Sequence, residues 1–269
     1  MTQNEKILDF EDRYFLGVLT GFVKFRDYDI NGLDDGIEIS NDLRLRRITE
    51  EEENILLRER KIRYGDYEYL AFKITTRENV LNTDFNVLKL GLLALRLHKK
   101  GDIYIQGIAE KKNDKFPIWQ YTTLDPRVIY GYRIIESDIN VIRDIHKKLC
   151  KINFNNEENF WLKIPCDRFD RYFSNYRPRD KLIDLMIGYE SLFLKGSKQG
   201  SKSSPIAKKC SELLETYENR EKVYEKVKFG YDLRNKIVHS SKDYSKDDIW
   251  SVLPNLEEYM RESLRRKLL

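Results

Sequence analysis

The hydrophobic pattern of this chain changes period once, near Ile135, and that change limits the possible folds more than any other feature. Before it, short runs of branched and aromatic residues alternate with two helical patterns. Tyr14 to Phe25 (YFLGVLTGFVKF) reads as a strand or bent hairpin. Gly36 to Leu45 alternates around Asn41-Asp42 as a second hairpin. Tyr67 to Thr75, Ile103 to Ala109 and Ile118 to Thr122 are further strand candidates. Thr49 with Glu52 forms a capping box, which predicts a helix from about Glu50 to Lys61. Asp84 to Lys99 carries an apolar stripe through Val87, Leu88, Leu92 and Leu95 and reads as a helix.

After Ile135 the strand signals nearly vanish. Ser137 is placed to cap a helix over Asp138 to Lys151. Helical patterns follow at about 157–175, 179–195, 205–217, 219–239 and 245–267. Between the second and third of these, Gly196 to Ser204 (GSKQGSKSS) reads as a flexible loop, with Ser204 as a cap and Pro205 as the first helical residue. The expectation is an α+β fold: a mixed α/β N-terminal domain over residues 1–135 and an all-helical domain over 136–269, with no internal repeat.

Composition narrows the function classes. A chain of 269 residues buries a core without disulfide staples, and three cysteines (Cys150, Cys166, Cys210) are too few and too scattered for a disulfide framework or a metal knuckle. They read as small buried side chains in a reducing compartment. Three histidines (His98, His146, His239) form no HxxxH or HExxH pattern, so neither a metal nor another cofactor is expected. His98 and His146 end or interrupt apolar helices and read as structural. The longest apolar run, Val87 to Leu97, is broken by Lys89 and Arg96, and the N-terminal MTQNEKILDFEDR lacks the apolar core of a signal peptide. A cytoplasmic protein without a membrane partner is expected. The net charge of +4 is uneven: residues 177–269 hold 20 Lys/Arg against 15 Asp/Glu, or +5, which leaves −1 for the first 176. A basic C-terminal part suits a phosphate-bearing partner without requiring one.

The stretch that carries chemistry is Tyr231 to His239 (YDLRNKIVH). At 100° per residue, Leu233 and Ile237 lie about 40° apart and define a buried face. The same wheel puts Tyr231, Asn235 and Val238 on the other side, between Arg234 and His239, which stand about 140° apart. Such a strip becomes a groove only with a second wall, and a two-fold related copy would supply one. Arginine offers a fixed charge and a two-donor fork for phosphate oxygens, and histidine moves protons near neutral pH. With RNA the 2′-hydroxyl is a built-in nucleophile, so this pair suits phosphodiester chemistry without a metal.

RNKIVH followed by Ser240 resembles the R-x(4–6)-H signature of HEPN domains, with a polar residue directly after the arginine. DKLIDLMIGYESLFL (Asp180 to Leu194), SKSSPIAKKCSELL (Ser201 to Leu214) and FGYDLRNKIVHS (Phe229 to Ser240) resemble, in order and spacing, three blocks of the Apea-like HEPN group. The resemblance covers about residues 157–267; Pro205 and the sparse apolar content of the Ser-rich loop depart from the pattern.

The resemblance implies a helical bundle that dimerises, bringing Arg234 and His239 of two copies into one cleft. It also implies a metal-independent endoribonuclease of the kind found among toxins and anti-phage effectors, acting on an RNA substrate and answering to an antitoxin or trigger protein. Arg234 would bind the scissile phosphate, His239 would act as general base or acid, and Asn235 would orient either. Glu190 would contact Arg234 or form an inter-helix salt bridge. Tyr231 would stack on a base or pack an interface, and Lys236, with Lys242 and Lys246, would follow the RNA backbone. The alternative is a non-catalytic HEPN module that dimerises and binds RNA or nucleotide as a scaffold.

Overall fold

The computed structural model describes residues 13–23, 33–59, 67–74, 87–112, 115–121, 131–194, 202–239 and 245–268. Of the loop read at Gly196 to Ser204, residues 196–201 lie outside them, as do Ser240 and Lys242. The chain divides into two units, Met1–Gly91 with Ile103–Ile139, and Leu92–Asp102 with Asn140–Leu269.

In the first unit, β1 (Arg13–Val23) is the inner strand of a six-stranded sheet with order β2-β3-β4-β1-β5-β6. Its other strands are β2 (Ile37–Ser40), β3 (Leu43–Arg47), β4 (Tyr67–Ile74), β5 (Tyr104–Lys112) and β6 (Lys115–Tyr121), and every neighbouring pair is antiparallel. β2 and β3 meet in a tight turn at Asn41-Asp42, as the alternation around that dipeptide predicts. The two-residue period sorts the sheet's faces. Leu16, Val18, Ala71 and Ala109 bury one face against Ile55 and Leu56 of α1 (Glu50–Arg58).

The intervening Gly17 faces the start of α2 (Val87–His98): a Cβ there would lie 2.7 Å from Leu88 Cδ2. Helix α1 opens on the expected capping box. The Glu52 amide donates to Thr49 Oγ1 at 3.2 Å, and the Thr49 amide donates to Glu52 Oε2 at 3.0 Å. The same carboxylate takes a two-donor fork from Arg46 of β3, at 2.6 and 2.8 Å, and a hydrogen bond from the Tyr14 hydroxyl. Glu52 and Arg46 are both buried. Tyr132 is buried too, edge-on to Phe22 with ring centroids 5.6 Å apart.

The second unit is helical: the end of α3 (Glu136–Lys151), α4 (Phe160–Ser174), α5 (Pro178–Phe193), α6 (Ser203–Leu213), α7 (Arg220–His239) and α8 (Lys246–Leu268), with one 3-10 turn at Glu157–Asn159. An N-terminal sheet followed by helices is the α+β class read from the sequence. Leu92–Asp102 is grouped here because Arg96, almost fully buried, pairs with Asp170 of α4 and lies over the Phe173 ring at 4.3 Å. Its carbonyl accepts from Arg261 Nε of α8 at 2.8 Å. This grouping is finer than a single boundary near residue 135.

The caps of two helices differ from the sequence reading. α3 begins at Glu136, with the Asp138 carboxylate, not Ser137, accepting from the Ile135 amide at 2.9 Å. α6 begins at Ser203 with Lys202 in the capping position and no side-chain cap, so Pro205 is its third residue. The Ser203 hydroxyl, on the first helical residue, donates to Asp232 of α7. Among the described residues no helix is long and apolar enough to cross a membrane.

Candidate functional site on helices α5, α6 and α7

The site is built at one corner of the second unit. α5 is opened by Pro178 at its first helical position after an extended Arg177, and its last turn carries Glu190. α7 is capped by Asn219, whose Oδ1 accepts from the Lys222 amide at 3.1 Å. Eleven residues on, Gly230 lets α8 close onto α7: a Cβ there would meet Leu256 Cδ1 at 2.6 Å. α7 therefore packs against α5, α6 and α8.

A helix enclosed on three sides buries a wider arc than a single stripe. The buried residues of α7 are Val223, Val227, Gly230, Tyr231, Leu233 and Ile237. This corrects the helical wheel at one residue. Tyr231 is 4% exposed and belongs to the inner face. Of the strip read as exposed, Val238 is 48% exposed and Asn235 is half-buried.

Four of the six sequence-selected residues are brought together. The Tyr231 hydroxyl donates to Glu190 Oε1 at 2.7 Å. Arg234 Nη2 lies 3.6 Å from the same oxygen, and Arg234 Nη1 donates to Asn235 Oδ1 at 3.2 Å. The guanidinium carbon stands 5.8 Å from the centre of the Tyr231 ring. Arg234 Nε is buried and has no hydrogen-bond partner among the described residues. Asn235 is thus turned to the arginine and not to His239. His239 is the last residue of α7 and exposed, about 7.5 Å further along the axis than Arg234. Lys236 is exposed on another face of the helix.

The sequence reading missed two members of this corner. Lys202 Nζ donates to Glu190 Oε2 at 2.9 Å, and the Ser203 hydroxyl donates to Asp232 Oδ1 at 3.0 Å. Both lie in the Ser-rich stretch that opens α6, where a cation and a hydroxyl on the threshold of a helix are the available signal.

Burial pushes the Glu190 carboxyl up, but the hydrogen bonds from Lys202 and Tyr231 and the charges of Lys202 and Arg234 outweigh it and hold the group below its ordinary value. Burial and the bond to that carboxylate push the Tyr231 phenol up, so it remains a donor. The corner is therefore a carboxylate kept in its charged form by two cations and a phenol, and one of those cations, the Arg234 guanidinium, also bonds to Asn235 and has donors to spare. One helix presents that guanidinium and, at its end, an exposed imidazole. Such a pair can hold a phosphate and exchange a proton with an oxygen beside it.

The other sequence candidates sit apart. Among the described residues no three or more His, Cys, Asp or Glu side chains are gathered to hold a metal ion. Cys166 and Cys210 are buried as expected, whereas Cys150 is exposed because it falls on the outer side of the last turn of α3. His146 is buried, and desolvation lowers its pKa to about 4. A groove of about 630 Å³ between α6 and α7, bordered by Lys208, Arg220 and Tyr224, includes none of the site residues. Comparison with models of protein families, with curated proteins and with solved structures finds no match to this chain.

Proposed function

We propose that this chain is a metal-independent endoribonuclease of the HEPN type. The observation that carries the reading is the pairing, on one helix, of an Arg234 held by Glu190 and Asn235 with an exposed His239. Arg234 binds the non-bridging oxygens of the scissile phosphate and stabilises the charge that builds there. His239 takes the proton from the 2′-hydroxyl as that oxygen attacks phosphorus. The P–O5′ bond breaks, leaving a 2′,3′-cyclic phosphate on one fragment and a 5′-hydroxyl on the other. The departing 5′-oxygen needs a proton from a second acid, and the His239 of a second copy would supply it in a two-fold dimer.

Exposed Val238, one residue before His239, supports a covered surface at this end of the helix. The nucleophile belongs to the substrate and the acid and base are imidazoles, so the route calls for no metal. Tyr231 enters as a donor to Glu190 and not as a base-stacking surface, because its ring is buried. In this reading the protein acts as a toxin or defence effector, so the wild-type gene is hard to express and the His239→Ala gene easy.

The test is incubation of the purified chain with total RNA in EDTA. Cleavage that disappears in a folded His239→Ala variant is the expected result. RNA left intact by the wild-type chain, but bound by it, favours the scaffold reading.

A further inference from the structure

Glu190 is shared by three donors, and one of them has no place in the reaction just described. Lys202 Nζ sits on Oε2 at 2.9 Å, while Tyr231 and Arg234 share Oε1. The lysine stands at the head of α6, where its carbonyl accepts from the Ile206 amide at 3.1 Å, but its side chain makes no cap. The neighbouring polar pair is separately satisfied, Ser203 on Asp232.

Two cations share this carboxylate, and with the Asp232 carboxylate on Ser203 the charges of the corner balance; what leaves the cations open to another anion is the weakness of their contacts. Neither contact is strong. Lys202 is about half exposed, and surface ion pairs of this kind are worth roughly 0–1 kcal/mol. The Arg234 contact, at 3.6 Å, is longer than a hydrogen bond. Because both cations lie on the two oxygens of the same carboxylate, an anion that reaches one is close to the other.

Resting on the endoribonuclease reading, we propose that Lys202 is a substrate-binding residue of the site, holding the RNA backbone beside the phosphate bound by Arg234. Lysine suits this role as a mobile point charge, where Arg234 supplies the fixed fork. The contact is to phosphate alone, so it discriminates neither base nor sugar.

The test uses the full chain carrying His239→Ala, so that RNA is bound and not cut. Binding of a short fluorescein-labelled single-stranded RNA of mixed sequence is measured by anisotropy over a range of KCl concentrations, with and without Lys202→Met. Each phosphate contact on a single strand contributes roughly 0.7 to the slope of log K against log salt. Lys202→Met should therefore weaken binding at low salt and make the slope shallower by roughly 0.7. Lys202→Arg should restore the slope, and DNA of the same sequence should show the same change.

If Lys202 only ties α6 to α5, Lys202→Met lowers the melting temperature and leaves the slope as it was; an unchanged slope overturns the assignment. Glu190 keeps Tyr231 and Arg234 in that variant, so no buried charge is stranded. A wild-type chain that neither cuts nor binds RNA overturns the endoribonuclease reading and this one with it. A wild-type chain that cuts, with slopes indifferent to Lys202→Met, overturns this one alone.

Discussion

A carboxylate in the last turn of a helix opposes the helix dipole, and Glu190 occupies that position in α5. It remains ionised because Lys202, Tyr231 and Arg234 all face it. Glu52 in the first unit is the same device at greater depth: burial raises its carboxyl, and the Arg46 fork and the bonds from Tyr14 and the Thr49 amide more than reverse that. Removing one partner of a buried pair strands the other, at about 3–5 kcal/mol. Glu52→Gln should therefore lower the unfolding free energy of the first unit by about that much, read by denaturant titration. A loss within the scatter of an ordinary surface substitution would show that Arg46 finds another partner. Thiols give a second check at this scale. Burial pushes Cys166 and Cys210 up to about 12, while Cys150 is exposed. One equivalent of thiol should react with Ellman's reagent in the native protein, and three after denaturation.

At the scale of elements, the sequence is most legible where a signal is local. The turn at Asn41-Asp42 and the capping box at Thr49 and Glu52 are decided within a few residues, and the structure has both. α6 starts two residues before the local reading, and its first residue, Ser203, is bound to Asp232, 29 positions away, a contact that no local rule reports. Tyr231 lies on the inner side of α7, against the helical wheel, because its burial comes from three neighbouring helices and not from the helix's own period. At the candidate site the residue types were readable, but the hub at Glu190, which joins three helices, was only half visible. Close approach of elements is another non-local feature. Gly91 in α2 faces Leu43 and Phe72 of the sheet, with an added Cβ 2.7 Å from Leu43 Cδ2 and 3.0 Å from Phe72 Cζ. Both neighbours are fully buried. Gly91→Ala should destabilise by about 1–3 kcal/mol despite its better helix propensity. A thermal melt showing stabilisation would mean that α2 stands further from the sheet.

For the whole molecule, pH joins stability to a single buried imidazole in the helical unit. His146 titrates at about 4 because burial disfavours its charged form, against a usual value of 6.5. The unfolded chain takes up this proton at higher pH than the folded one, so the group's contribution is complete above pH 6.5. It is lost progressively as pH falls toward 4. At 1.36 kcal/mol per unit, the shift from 6.5 to about 4 corresponds to about 3 kcal/mol. Glu52 and Glu190, held below the ordinary carboxylate range, lose their share only at still lower pH. Stability should therefore decline between pH 6.5 and 4, and His146→Leu should flatten that decline; an unchanged slope in the variant would assign it to other groups. The proposed cleavage of RNA is tested most directly by the rate and product of cleavage in EDTA by three folded proteins. Wild type should leave 2′,3′-cyclic phosphate ends. His239→Ala should be slower by about 10²–10⁴-fold, the usual worth of a positioned proton-transfer group. Arg234→Lys should also be severely impaired, because an ammonium cannot reproduce the fork on phosphate. An Arg234→Lys protein that cuts as fast as wild type, or ends that carry a 5′-phosphate, would contradict the account.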